Sequence, residues 1–517
     1  MAEWQTRRLQ VPVVARLCGF KSHLLHEGLR MISETFYYVI GNSYGIPYYI
    51  KNIIALRWRK IRMEEIKKTK EMDMLNGGLA GKLILFAVPL AFSSILQQLF
   101  NSADVAVVGR FAGSQALAAV GSCVALVGIF VNLIVGLAVG PNAALANLIG
   151  QGRRDSISRM VHTIMTFGAM LGMILLAVGM LTARLVLEAS GTPETVINEA
   201  LLYIRIYFIG LPFMVLYNFG AAILRSYGDT RRPMYYLILS GILNVVLNLL
   251  LVIVFGLGVA GVAIATVISN VLSTVLVMVH LHARTDEFQF CFHRLCIDGA
   301  DLKKVLLIGI PAGIQGAIFS VSNVFIQSGI NSFGEDAIAG SSLALNFEYF
   351  TYDIANAFAQ AAVTFTSQNF GAGNLKRCKR IFWLCMLFGM GFTEILSVIF
   401  MIWDEFFVGI YTISSSVAVY GLVRMHHVCS LEGLTATYEV ESAALRGMGK
   451  SLEPSIITIL GTVVFRMIWL LTVFKWFPTY DMLMNVYVAS WVCTGGAIFV
   501  VWFLYMRKME KRQAELV

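Results

Sequence analysis

Four polar side chains recur at helical spacing inside an otherwise apolar stretch around residue 100. They are Ser94, Gln97, Asn101 and Asp104, and steps of three and four residues place them on one face of an α-helix. An aspartate in hydrocarbon costs about 2.5 to 3.5 kcal/mol, so it normally lines a protein interior or a water-filled path. We therefore expect Asp104, with Gln97 and Asn101, to bind a cation or a cationic solute. The alternative is that Asp104 reaches the membrane surface and is structural.

Two further apolar segments carry polar stripes at helical spacing. The first comprises Tyr236, Ser240, Asn244 and Asn248, and the second comprises Asn346, Tyr349, Asp353, Asn356 and Gln360. Polar faces of this kind inside apolar helices indicate a solute pathway. Two interpretations of Asp353 remain open, a cleft residue or the partner in a structural ion pair.

Charged residues in other apolar segments extend the set of candidates. Glu439 and Glu441 are two positions apart, about 200° around a helix, so at most one of them can face a cleft. We include Glu439 among the candidate binding residues. Arg205 and Arg424 are expected to pair with buried acids or backbone carbonyls rather than with substrate.

The elements that position these residues are membrane-spanning helices. Of the 517 residues, 57% are hydrophobic and 14% are charged, which excludes an ordinary soluble protein. Twelve apolar runs are each long enough to cross about 30 Å of hydrocarbon. They must be helices, because an open strand edge cannot be left in lipid. They lie near residues 82–107, 116–141, 159–182, 197–224, 234–256, 259–282, 303–331, 336–366, 380–403, 416–445, 454–475 and 483–506.

The twelve segments form two copies of a six-segment unit. Gly150-x-Gly152 recurs 221 residues later as Gly371-x-Gly373, and LRSYGDTRRP at 224–233 recurs as LRGMGKSLEP at 445–454. An even number of spans inserts both copies the same way up, related by an axis along the membrane normal, with a cleft between them. We therefore predict an all-α integral membrane protein with six-helix bundles at 76–300 and 301–517, related by pseudo-two-fold symmetry.

Basic residues indicate the orientation. The loops after even-numbered segments and the C-terminal tail hold 20 Lys and Arg residues, whereas the loops after odd-numbered segments hold three. The positive-inside rule then makes both termini cytoplasmic.

The first 75 residues form a basic arm that differs from the rest of the chain. Residues 1–70 hold 13 Lys and Arg against 5 Asp and Glu, or eight of the nine net positive charges. One interpretation is an amphipathic helix on an anionic membrane surface rather than a nucleic-acid-binding segment. The other is a misplaced start, because codons for parts of residues 2–22 can be written to resemble a bacterial leucine transfer-RNA gene. Residues 1–62 would then be untranslated, and the chain would begin at Met63, Met72 or Met74.

Motifs typical of enzymes lack their required context. GLGVAG at 256–261 lies between two apolar segments rather than after a soluble strand, so it is a hairpin turn. GMGKS at 447–451 lacks the first glycine of a phosphate loop, since residue 444 is alanine. Cys291-x-His293-x2-Cys296 lacks a fourth metal ligand. We expect no enzyme, no metal site and no cofactor other than a coupling ion.

Together the motifs and the repeat resemble the multidrug and toxic compound extrusion (MATE) family of secondary transporters, in its bacterial form. The resemblance runs from about Met74 to Arg507 and is carried by VPLAFSSILQQLFNSADVAVVGRF at 88–111, YIRIYFIGLPF at 203–213, LRSYGDTRRP, GLGVAGVAIATVIS and SAALRGMGKSLEP. It implies two bundles that rock around a central cleft. It also implies export of amphipathic, often cationic compounds in exchange for inward H⁺ or Na⁺.

Position by position, the resemblance places a site at Asp104, Tyr203, Asn244, Asn248 and Thr266, with Pro89 as the bend point of the first helix. The chain differs from some members of the family at two positions. It has Asn248 where they carry a second carboxylate, and Phe319 where they carry a glutamate. Asp104 is thus left as the main titratable group of the first bundle, which puts a Na⁺ site of two carboxylates in doubt. Asp353 and Glu439 would supply charge in the second bundle.

The resulting hypothesis is a cation-coupled multidrug exporter of the bacterial inner membrane. It would exchange small organic cations for H⁺ or Na⁺ and work as a monomer in the lipid bilayer. The alternative is a flippase for a lipid or a lipid-linked oligosaccharide in the same superfamily, although this would predict more spans and a more cationic cleft.

Overall fold

The computed structural model describes residues 72–412 and 414–515, and all regular structure within them is helical. Twelve helices follow in order: α1 Ala80–Ala112, α2 Ser114–Gly150, α3 Arg154–Ala189, α4 Glu194–Ile209 with Leu211–Ser226, α5 Arg231–Val254, α6 Gly258–Ala283, α7 Gly299–Asn331, α8 Glu335–Gly371, α9 Leu375–Ile402, α10 Ser415–Val428 with Cys429–Leu434 and Thr435–Gly447, α11 Leu452–Trp476 and α12 Tyr480–Glu515. A short helix, Asp404–Tyr411, precedes α10. The predicted all-helical class is confirmed, whereas almost all of the basic arm lies outside the described residues.

Most of these helices can cross a membrane by length and hydropathy alone. Among the described residues nine do so, and the two halves of α4 make a tenth span. The other two, α8 and α10, carry acidic residues that reduce their hydropathy, including Glu348 and Asp353 on α8 and Glu432 on α10. Neighbouring helices bury Glu348 and Glu432, so their polarity faces protein rather than lipid.

Two helices are less regular than their apolar runs predict. The predicted single span at 197–224 bends by 42° between Ile209 and Leu211, where Pro212 cannot donate a helical hydrogen bond. The predicted continuous span at 416–445 contains a 3₁₀ segment with Leu431 outside helical geometry. There the backbone N–H of Gly433 donates to the Glu394 carboxylate of α9 at 3.0 Å.

The two halves of the molecule, α1–α6 and α7–α12, meet at one end. We call this the basic end; it is formed by the turns that follow the even-numbered helices. A Cβ atom on Gly150 would lie 1.9 Å from the carbonyl oxygen of Gln368, and one on Gly371 would lie 2.3 Å from that of Asn147. These contacts are equivalent under the 221-residue repeat, so the repeated glycines let α2 and α8 cross closely near a pseudo-two-fold axis.

Polar contacts close the basic end and do not continue to the opposite end. Asn142 donates to the Thr364 hydroxyl at 2.9 Å, and Gln368 donates to the carbonyl oxygen of Ser226 at 2.7 Å. Farther along, Asn132 donates to Ser320 at 2.8 Å. Within the described residues, every side-chain hydrogen bond between the halves lies between that pair and the basic end. The polar contacts between the halves thus end at Asn132 and Ser320, which suits the predicted cleft at the far end.

One helix packs against both halves. Near its start, Leu83 and Phe86 of α1 belong to the apolar core of the second half, and the Phe86 ring meets that of Phe365 on α8 edge-on at 5.4 Å. Farther on, Phe100 of α1 packs against Gly241 of α5. Pro89 lies between these two contacts. The helix α1 therefore connects the packing at the basic end with the packing against α5 in the first half.

Candidate functional site

A chain of hydrogen bonds joins three helices of the first half. The Asn248 side-chain amide donates to Asp104 Oδ1 and also, at 3.3 Å, to Asn244 Oδ1. The Asn244 amide in turn donates to the Thr266 hydroxyl at 3.4 Å. We call these four residues, which lie on α1, α5 and α6, the polar chain.

The packing of α1 against α5 brings the polar chain together. A Cβ atom on Gly241 would lie 1.9 Å from the Phe100 ring, so glycine at this position lets the two helices approach closely. Asp104 follows Phe100 by one turn, and Asn248 follows Gly241 by two turns. Both helices then end in a π-helical turn, at Val108–Ala112 and Leu250–Val254, a distortion that frequently marks functional sites.

The polar chain offers oxygen atoms to a cation. Asn248 is 0% exposed, and its Oδ1 has no hydrogen-bond partner, whereas Asp104 is half-buried. A carboxylate beside an unsatisfied amide oxygen suits a proton or a hard cation, both of which these groups can accept.

The other predicted residues of the first half divide into two groups. Tyr203 is buried on α4 with its ring stacked on Tyr207 at 6.2 Å, and both tyrosines lie within electrostatic range of Asp104. Gln97 and Asn101 are exposed on α1 and do not join the polar chain. Tyr203 is thus close enough to Asp104 for their charges to interact, whereas the two α1 amides are exposed.

Pro89 is buried inside α1, which continues through it as a helix. The Ser93 hydroxyl donates to the carbonyl oxygen of Pro89 at 2.7 Å. Its role as a bend point stays a prediction, although its place between the two packing contacts of α1 suits that role.

In the second half, one predicted acid pairs with a tyrosine. The Tyr352 hydroxyl of α8 donates to Glu439 Oε1 of α10 at 2.8 Å. Glu441 is instead buried, with its Oε2 unpartnered, so the two glutamates face different ways as their spacing requires. Asp353 is half-buried and forms no ion pair within the described part of the chain, and its place in the cleft stays a prediction.

The two intramembrane arginines differ from each other. Arg424 is buried and binds Glu348 through two hydrogen bonds, with Nη2 to Oε2 at 2.8 Å, as expected for a charge inside a bundle. The expectation for Arg205 is wrong, because its side chain is exposed and contacts no acid among the described residues. Arg205 lies two positions after the buried Tyr203, which puts it on the opposite face of the helix.

Sequence reasoning missed a second buried arginine and its surroundings. Arg466 of α11 is 1% exposed; its Nε donates to Ser490 at 3.2 Å, and its guanidinium lies 4.7 Å from the Tyr487 ring and 5.5 Å from that of Phe319. Glu432 is buried with an unpartnered Oε2. Each of these residues is a lone charge inside an apolar run, and this feature of the sequence could have identified both as candidates.

Comparison with known proteins gives matches over both halves. A sequence model described as MatE matches residues 89–250 and 311–471. The probable multidrug resistance protein YoeA of Bacillus subtilis is 29% identical over 72% of this chain and 82% of its own length. The probable multidrug resistance protein YpnP of the same organism is 30% identical over 60% of this chain and 69% of its own length. A crystal structure of a MATE protein in complex with MaL6 has a TM-score of 0.80 at 21% identity, covering 86% of this chain and 100% of that one.

Proposed function

Because this chain belongs to the MatE family, we propose that it is a secondary active multidrug efflux transporter, not an enzyme. It exports amphipathic, cationic small molecules in exchange for inward H⁺ or Na⁺. The names of two Bacillus relatives, both probable multidrug resistance proteins, support drugs as the exported compounds. The observation that carries the proposal is the polar chain, because it connects the Asp104 carboxylate to two other helices.

The proposal includes an orientation and a location. The basic residues of the even-numbered loops favour a cytoplasmic basic end in a bacterial inner membrane, with both termini in the cytoplasm. The cleft would then open to the outside, which is the state that receives the coupling ion and releases the exported compound.

Asp104 acts as the charge-switching group of the proposed cycle. When ionised, its carboxylate attracts an organic cation into the cleft, and a proton or Na⁺ from outside removes that attraction. One charge moving through 100 mV releases about 2.3 kcal/mol, which is about a fiftyfold concentration ratio. One or two ions per cycle are therefore sufficient for a useful drug gradient.

The packing of α1 suggests how binding reaches the other end of the molecule. Asp104 and Phe100 hold the far part of α1 against α5, while Phe86 holds its start against α8. A change of charge at Asp104 alters the packing of α1 against α5. A bend at Pro89 transmits this change to the packing of α1 against α8. The basic end then opens and exposes the cleft to the cytoplasm.

The test is ethidium efflux from cells that express the Asp104→Asn variant. We expect efflux at background level, while the Asp336→Asn variant, which removes an exposed acid at the start of α8, pumps normally. Ionophores that collapse the H⁺ and Na⁺ gradients separately identify the coupling ion. Normal pumping by Asp104→Asn, or efflux that survives the loss of both gradients, would contradict the proposal.

A further inference from the structure

A cavity of about 510 Å³ lies at the basic end of the second half, away from the cleft. It is lined by Lys450, Glu453, Leu504, Tyr505, Lys508 and Arg512. Lys450 belongs to the turn between α10 and α11, and the last four residues belong to α12. We call it the α12 cavity; its volume is within the range of small-molecule sites.

The end of α12 is held so that one of its faces lines this cavity. Glu510 forms an ion pair with Lys379 of α9 at 2.5 Å, and Gln513 donates to the carbonyl oxygen of Gly373 at 3.1 Å. Tyr505, Lys508 and Arg512 are spaced by three and four residues, so they share the other face. The cationic face is therefore positioned by contacts that do not use its own charges.

Positive charge exceeds negative charge in the α12 cavity. Lys450 Nζ lies 2.8 Å from Glu453 Oε1 and 5.9 Å from the centroid of the Tyr505 ring. The hydrogen bond and the charge of Glu453 raise the pKa of Lys450, so Lys450 stays protonated at neutral pH. Lys508 and Arg512 form no ion pair within the described residues. Three cations thus face a single acid.

The same cavity borders the lipid-facing apolar surface. Leu504, which lines it, is 59% exposed, and Leu452 beside Glu453 is 58% exposed. The apolar part of α12 ends here, and its charged extension begins with Arg507. Cations at this boundary are placed where the phosphate groups of a bilayer lie.

We propose that the α12 cavity binds the phosphate-containing headgroup of an anionic membrane lipid. Lys508 and Arg512 would contact the phosphate from α12, and Lys450 would contact it from the α10–α11 turn. The acyl chains would extend along Leu504 and Leu452. Such a lipid would connect α12 to the turn that joins α10 and α11.

The experiment measures the thermal unfolding midpoint of the full-length protein in detergent, with phosphatidylglycerol or phosphatidylcholine added. We expect phosphatidylglycerol to raise the midpoint more than phosphatidylcholine does. The Lys508→Gln/Arg512→Gln variant should lose more than half of that difference. The matched control is Arg507→Gln/Lys511→Gln, which removes the same charge from the same helix outside the cavity and should keep the difference.

Three results would overturn the proposal. The first is that both double variants lose the midpoint difference between the two lipids to the same extent. The second is that phosphatidylglycerol raises the midpoint of the unmodified protein no more than phosphatidylcholine does. The third is that inorganic phosphate raises the midpoint as much as phosphatidylglycerol does, which would identify free phosphate as the ligand. Lys450→Gln tests the opposite wall of the cavity if the double variant does not fold, and it should also reduce the preference.

Discussion

At the scale of single residues, Asn248 determines how much charge the polar chain holds. Its amide donates to both Asp104 and Asn244, while its own oxygen has no partner. With an amide at this position the site contains one carboxylate. A second carboxylate here would face Asp104 directly, so the residue at this position decides whether the polar chain contains one acid or two.

The Asn248→Asp variant should become Na⁺-dependent. Two carboxylates at hydrogen-bond distance cannot both stay ionised without a proton or a cation between them. We expect external Na⁺ to stimulate ethidium efflux several-fold in proteoliposomes at fixed pH, whereas the unmodified protein responds less. Asn248→Ala removes the amide without adding charge and should pump poorly with no response to Na⁺. The same Na⁺ response in both variants would contradict this account.

At the scale of helices, two glycines of α2 let it pack closely against α7 of the second half. A Cβ atom on Gly140 would lie 2.3 Å from the carbonyl oxygen of Val305, and one on Gly136 would lie 2.5 Å from that of Ala312. Both obstacles are backbone atoms of α7, which cannot rotate away as a side chain could. The contact at the basic end therefore requires small residues on α2.

The Gly140→Ala variant should weaken this contact. Overpacking of a close interface costs about 1 to 3 kcal/mol, so the basic end should open more often. The measurement is the maleimide labelling rate of a cysteine introduced at the buried position Asn142, which we expect to rise at least several-fold. Gly128→Ala is the matched control on the same helix, because its nearest neighbour, Ser320 Oγ, lies at 3.9 Å. An equal labelling rate in both variants would show that the glycine contact does not hold this end closed.

At the scale of the whole molecule, the proposed alternating access requires the halves to separate at the basic end. Asn142 and Thr364 form a direct polar link across that interface, with side-chain atoms 2.9 Å apart and both residues buried. They lie on α2 and α8, the helices that cross near the pseudo-two-fold axis. A covalent bond at this point would hold the cleft open only at the far end.

The Asn142→Cys/Thr364→Cys variant, in a background without the native cysteines, should stop pumping when oxidised. We expect efflux to return on reduction, because the disulfide blocks only the opening of the basic end. Each single-cysteine variant, treated with the same oxidant, should keep its activity. Sustained efflux by fully cross-linked protein would mean that the halves need not separate here.

The sequence predicted the helical class, the two-fold repeat and the family, and the structure and the comparisons confirm all three. These features could be predicted because apolar length and residue spacing are local properties. The division into bundles at 76–300 and 301–517, the coupling ion and the role of each binding residue stay predictions. The error at Arg205 arose because helical spacing tells which residues share a face but not which way that face points.

Sequence alone determined that Asp104 lies on a polar face of the first span and that Asn244 and Asn248 lie on a polar face of the fifth. Only the tertiary structure placed these faces against each other, through the fit of Phe100 on Gly241. It also paired Arg424 with Glu348 and formed the α12 cavity. The reason is that contacts between helices depend on side-chain shape across positions far apart in the chain, and a spacing pattern within one helix contains no information about them.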